Sequence, residues 1–121
     1  MPISRYVTTE TIEGSGFSGK TFTDKVYTIT DAAAFEVNPA NGGIQTITLG
    51  ANRTPKSTNF LDGQSVTLMV DDGTARTLTW TDATWGGSGV VWLDGSAPTL
   101  KTTGYTAIVL FKAGSQVYGR G

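Results

Sequence analysis

Apolar and polar residues alternate along this chain in short runs separated by Gly, Pro, Asn, Asp and Ser. That period of two predicts strands rather than helices. Eight such runs recur: Tyr6 to Ile12, Thr21 to Thr30, Ile44 to Leu49, Val66 to Asp71, Arg76 to Trp80, Val90 to Leu93, Thr106 to Lys112 and Gln116 to Tyr118. Short strands at this spacing predict an all-β fold, an antiparallel β-sandwich or jelly-roll-like arrangement. The one helical stretch is Asp31-Ala32-Ala33-Ala34-Phe35, where Asp31 can cap a single turn that Asn38-Pro39 then ends.

Side-chain pairing discriminates between registers for a hairpin around Asp71-Asp72-Gly73-Thr74. A three-residue loop from Asp72 to Thr74 sets Val66 opposite Trp80 and Leu68 opposite Leu78, whereas a two-residue loop sets both against threonines. The apolar pairing is the expected one, and a five-residue loop gives the same register. The run Ala107-Ile108-Val109-Leu110-Phe111 is apolar on both faces, which predicts a central strand covered on both sides. A neighbouring subunit is one candidate for the second cover.

Texture divides the chain softly. Residues 1–33 are more charged and hydroxyl-rich, with Gly14-Ser15-Gly16-Phe17-Ser18-Gly19 as a flexible joint, and read as an N-terminal arm or peripheral hairpin for attachment or oligomerisation. Residues 34–121 read as the β-sandwich module. No repeat, heptad or low-complexity tract interrupts them.

Composition agrees with strands, since Thr is the commonest residue and β-branched side chains favour a pleated surface. The 121 residues are enough for one core. Nine basic and ten acidic side chains leave a formal net charge of -1 without a block of either sign. Such a surface offers no footprint for nucleic acid or an anionic membrane, and no apolar run reaches membrane-span or signal-peptide length. Neither nucleic acid nor membrane is an expected partner.

The chain contains neither His nor Cys. That inventory removes Ser-His-Asp and Cys-His catalysis, histidine general bases, and nitrogen or sulfur ligands for zinc. A carboxylate pair of the glycosidase kind is compositionally possible from Asp24, Asp31, Glu36, Asp62, Asp71, Asp72, Asp82 and Asp94. Asp62-Gly63, Asp72-Gly73 and Asp94-Gly95, however, are turn pairs, in which Asp bonds local backbone and Gly supplies positive φ. Asp71, Asp72 and Asp82 are near enough in sequence to consider for calcium, but the spacing of a calcium loop is missing. Gly14 to Gly19 spells G-x-G-x-x-G without the following amphipathic helix of a dinucleotide site. The expectation is a non-enzyme without cofactor or metal.

Trp80 and Trp92 alternate with polar or turn residues inside strand-like runs and are expected in the core. Trp85 lies among Asp82-Ala83-Thr84 and Gly86-Gly87-Ser88-Gly89, a loop whose glycines cannot shield it. It is expected either against a neighbouring subunit or exposed as a contact residue. Tyr105 and Tyr118 offer hydroxyls near strand ends. Ile3, Tyr6, Val7, Ile12 and Phe17 of the arm have no evident place in the core and join Trp85 as the expected assembly contacts.

A resemblance runs from about Phe35 to Gly121. Its motifs are Asn38-Pro39-Ala40-Asn41-Gly42-Gly43-Ile44-Gln45-Thr46-Ile47-Thr48-Leu49, Ala51-Asn52-Arg53-Thr54, and Asp62-Gly63-Gln64-Ser65-Val66-Thr67-Leu68-Met69-Val70. They continue through Thr77-Leu78-Thr79-Trp80, Val91-Trp92, Gly95-Ser96-Ala97-Pro98-Thr99-Leu100, Thr103-Gly104-Tyr105-Thr106, Phe111-Lys112 and Val117-Tyr118-Gly119. Together they resemble a β-sandwich module of tailed-bacteriophage virion proteins. The resemblance implies a virion component assembled in a host cytoplasm, contacts with capsid or tail subunits, and a homo-oligomer, commonly a trimer. With only about 34 residues before the module, the expectation is a capsid decoration or cement protein rather than a tail fibre. The alternative is a tail, collar or tail-fibre component with a receptor- or carbohydrate-binding role.

Overall fold

The computed structural model describes residues 23–71 and 75–121. Six strands form one sheet: β1 (Val26–Thr28), β2 (Ile44–Thr48), β3 (Ser65–Asp71), β4 (Val91–Trp92), β5 (Tyr105–Ala113) and β6 (Gln116–Arg120). Their spatial order is β1-β2-β3-β5-β6-β4. Short 3-10 turns at Pro39–Asn41 and Ala83–Trp85 complete the regular structure, and the fold is all-β. No helix among the described residues is long and apolar enough to cross a membrane.

Strict alternation decides which face of each strand turns inward. Val66, Leu68 and Val70 of β3, Ile108 and Leu110 of β5, Ile47 of β2 and Val117 of β6 are all buried on one face. They meet Ile29, Phe35, Val37, Leu49, Phe60, Trp80 and Trp85, contributed by the connections rather than by strands. The second layer is therefore made of extended segments and 3-10 turns. Gly119 of β6 lies under the Trp92 ring, where an added Cβ would come within 2.6 Å of Cζ3. Glycine at that position lets the indole close the end of the core.

The expected antiparallel sandwich needs correction in two respects. Three of the five strand pairings are parallel, β1 with β2, β2 with β3 and β4 with β6, so the sheet is mixed. No second sheet forms among the described residues. The expected hairpin is also absent, because β3 already has a partner on each edge. Val66 lies opposite Leu110 and Leu68 opposite Ile108, with β2 on the other side. Leu78 instead forms a single parallel bridge to Arg53, held by Arg53 N–H to the Thr77 carbonyl at 3.0 Å and Thr79 N–H to the Arg53 carbonyl at 2.9 Å. The loop Asp72 to Thr74 lies outside the described residues. β1 pairs with β2 and Ile29 is buried, so residues 26–29 join the module's sheet and core ahead of the boundary that texture suggested at residue 33.

Buried polar groups tie the connections down. Gln45 is fully buried on the core face of β2, and its amide donates to the carbonyls of Asn38 at 2.7 Å and Gly42 at 3.0 Å, anchoring the first 3-10 turn. Asp31 does not cap an α-turn. Its carboxylate accepts from Arg53 Nε at 2.9 Å, Arg53 Nη2 at 2.6 Å and Gly50 N–H at 2.8 Å, joining the entry to the core with the turn after β2. The bidentate bond from Arg53 holds the Asp31 carboxyl below its ordinary value. A lowered folded-state value means stabilisation that is present above the ordinary carboxylate range and lost as pH falls through the lowered value. Asp31→Asn is expected to cost about 1–2 kcal/mol at neutral pH. Its urea midpoint should approach that of the unsubstituted chain as pH falls below the ordinary carboxylate range and through the lowered value; a gap that does not shrink in acid would assign the loss to packing.

Candidate assembly surface

The face opposite the core carries residues that the same alternation turns outward. Val26 and Thr28 of β1, Ile44 and Thr46 of β2, and Thr67, Met69 and Asp71 of β3 lie in register across the first half of the sheet. Tyr105, Ala107, Val109 and Phe111 of β5, Tyr118 and Arg120 of β6, and Val91 of β4 continue it. Nothing among the described residues covers this face. Val26 is 59% exposed, Tyr105 46% and Val91 45%, so three of the five exposed large hydrophobics among the described residues lie here. Phe111 and Tyr118 stack with centroids 5.7 Å apart, making a flat aromatic step at the lower edge.

β5 does lie inside the sheet, between β3 and β6. Only one of its faces is covered, however. Thr106, Ile108 and Leu110 are buried, whereas Val109 and Phe111 are half-buried and Ala107 exposed. The two-sided apolar pattern of Ala107 to Phe111 thus marks a strand whose second cover is not supplied by the described part of this chain.

The sequence-derived contact residues fare differently. Ile3, Tyr6, Val7, Ile12 and Phe17 lie outside the described residues. Trp85 is a correction: its side chain is fully buried within its own chain and reaches no surface. Its indole N–H donates to the Pro55 carbonyl at 2.9 Å, and its ring lies 5.4 Å from Trp80 and 6.4 Å from Phe60. The cause is local. Asp82 caps the Ala83–Trp85 turn by accepting from the Thr84 amide at 2.9 Å and hydroxyl at 2.7 Å, and Thr84 Oγ1 accepts from Ser57 N–H at 2.9 Å. Those bonds roll the loop inward, and the Thr84 hydroxyl lowers the Asp82 carboxyl below its ordinary value. The pattern Asp82-Ala83-Thr84 is an N-cap signal that could have indicated this turn from sequence. Trp80 is buried as expected, and Trp92 is partly buried 5.3 Å from it.

Three of the remaining carboxylates are occupied in structural bonds. Asp24 accepts from Gly43 N–H, Glu36 from Thr58 N–H and Asp62 from Gly114 N–H, at 3.1, 2.6 and 2.8 Å. Gly63 and Gly95 adopt φ of +86° and +94°, as the Asp-Gly turns at these positions require. No group of three His, Cys, Asp or Glu side chains placed to hold a metal occurs among the described residues.

One cleft of about 400 Å³ lies between the segments Ala75 to Leu78 and Pro98 to Leu100. Its walls are apolar with threonine hydroxyls and one cation, Arg76, whose guanidinium donates to the Leu49 carbonyl. No carboxylate is among the described residues that line it. The bare face, by contrast, extends over all six strands. Comparison with models of known protein families, with curated proteins and with solved structures finds no match.

Proposed function

We propose that this chain is a structural protein of a tailed-phage virion, a capsid decoration or cement subunit that stabilises the assembled shell. The observation that carries this reading is the bare sheet face, on which no described residue outside the sheet covers any of the six strands. A surface of that kind gains by being buried in an assembly. The motifs from Asn38 to Gly119 that resemble a virion β-sandwich module support the setting, and the two-layer sandwich of that module is completed when a neighbouring subunit covers the face. A subunit that binds only the assembled state favours that state by mass action.

One observation favours a second reading, a tail, collar or tail-fibre part with a receptor- or carbohydrate-binding role. Tyr105 is 46% exposed and lies opposite Asp71 on the bare face, an aromatic plane beside a carboxylate, as a sugar site requires. Imaging of purified virions with an antibody raised to this chain separates the two. Label over the head is the expected result. Label restricted to the tail favours the second reading, and unlabelled virions overturn both.

A further inference from the structure

We propose that the bare face packs on the same face of a second copy of this chain, so that two sheets form one sandwich across a two-fold axis. The inference deepens the assembly reading above and rests on it, by naming the partner of the bare face. Composition supports a protein partner, because interface centres are depleted in charge and enriched in aromatics, Met and Arg. The face presents Met69, Tyr105, Phe111, Tyr118 and Arg120 among β-branched and small residues.

Charge placement selects a second copy. Across all six strands, the only charged side chains turned to this face are Asp71 and Arg120. They stand on strands two places apart, and four residues apart in register, since Asp71 lies opposite Tyr105 and Arg120 opposite Val109. With ~4.8 Å between strands and ~3.3 Å per residue, their separation is roughly 16 Å. The two cannot pair within one chain. A two-fold axis lying diagonally between two facing sheets brings Asp71 of one copy onto Arg120 of the other, and symmetry supplies the reciprocal pair. The face is thereby its own electrostatic complement.

The area sets the strength. Six strands span about 24 Å and the outward-facing rows about 20 Å along the strands, so each copy offers roughly 500 Å² and the pair roughly 1,000 Å². That is near the lower limit for a specific interface, and predicts a concentration-dependent dimer rather than an obligate one.

Sedimentation velocity of the full chain over a micromolar concentration series tests the proposal. The unsubstituted chain should dimerise. Asp71→Arg or Arg120→Asp alone should weaken the dimer about tenfold or more, and the double swap should recover it to within about threefold. Met69→Lys, at a half-exposed position whose substitution leaves the core face untouched, should abolish it while the far-ultraviolet spectrum is unchanged. A monomer at every concentration, a trimer indifferent to these substitutions, or a swap without recovery overturns the proposal. The virion reading fails separately: a solution dimer from a phage whose virions are unlabelled sinks that reading alone, and a labelled virion with a monomeric protein sinks only the dimer.

Discussion

Trp85→Ala is expected to remove about 3–5 kcal/mol of stability, the range for a fully buried large aromatic side chain and a large part of what a small domain possesses. The indole has no exposed surface and bridges Trp80 and Phe60. Its loss leaves a cavity that the surrounding chain cannot close, because Trp80 is itself held between Trp85 and Trp92. The Pro55 carbonyl also loses its donor, which by itself costs about 1–3 kcal/mol when the group stays buried. Trp85→Phe is the intermediate case, since it removes the N–H but keeps one six-membered ring and so leaves a smaller cavity than alanine does. Urea denaturation followed by circular dichroism measures both variants. A loss below about 1 kcal/mol for Trp85→Ala, far from the buried-aromatic range, would return Trp85 to the surface role that its glycine-rich loop suggested.

Gly89→Ala is expected to cost about 3 kcal/mol or more, although it adds a single methyl group. A Cβ at this position would come within 2.0 Å of the Trp80 carbonyl oxygen and 2.7 Å of Thr81 Cα, and φ is +113°. The obstacle is backbone, and that backbone is fixed: the Trp80 carbonyl accepts from Val90 N–H at 3.0 Å while the Trp80 ring is locked in the core. Gly63 and Gly95 provide the control. Both have positive φ, but an added Cβ meets nothing within 4 Å at either, so alanine there carries backbone strain alone, about 1–2 kcal/mol. Denaturation of the three variants under one condition should rank Gly89 well above the others. Equal losses would mean that φ, and not the contact with Trp80, governs all three positions.

Local signals explain how much of this fold was legible in the sequence. Six of the eight alternating runs contain or overlap the strands β1 to β6, because a period of two is a property of each strand alone. The Asp-Gly turns at Asp62 and Asp94 were legible for the same reason: the required φ belongs to the residue itself. The hairpin was not, because pairing is a competition among distant segments. Leu78 and Trp80 were adequate partners for β3, but Ile108 and Leu110, some forty residues further along the chain, took the position and left Leu78 with only a bridge to Arg53.

The candidate surface divides in the same way. Ala107 to Phe111 announced apolar residues on both faces of one strand, and that much the sequence by itself determined. Only the tertiary structure showed that Val26, Ile44, Met69, Tyr118 and Val91 extend that face across the sheet, because sheet order and parallel pairing decide which outward-facing side chains become neighbours. Trp85 marks the opposite limit. Its neighbours in sequence suggested exposure, and its place was decided by Pro55, Phe60 and Trp80, which come together only when the chain folds. Periodicity fixes the face a side chain takes within its own strand; burial depends on what long-range packing brings to that face.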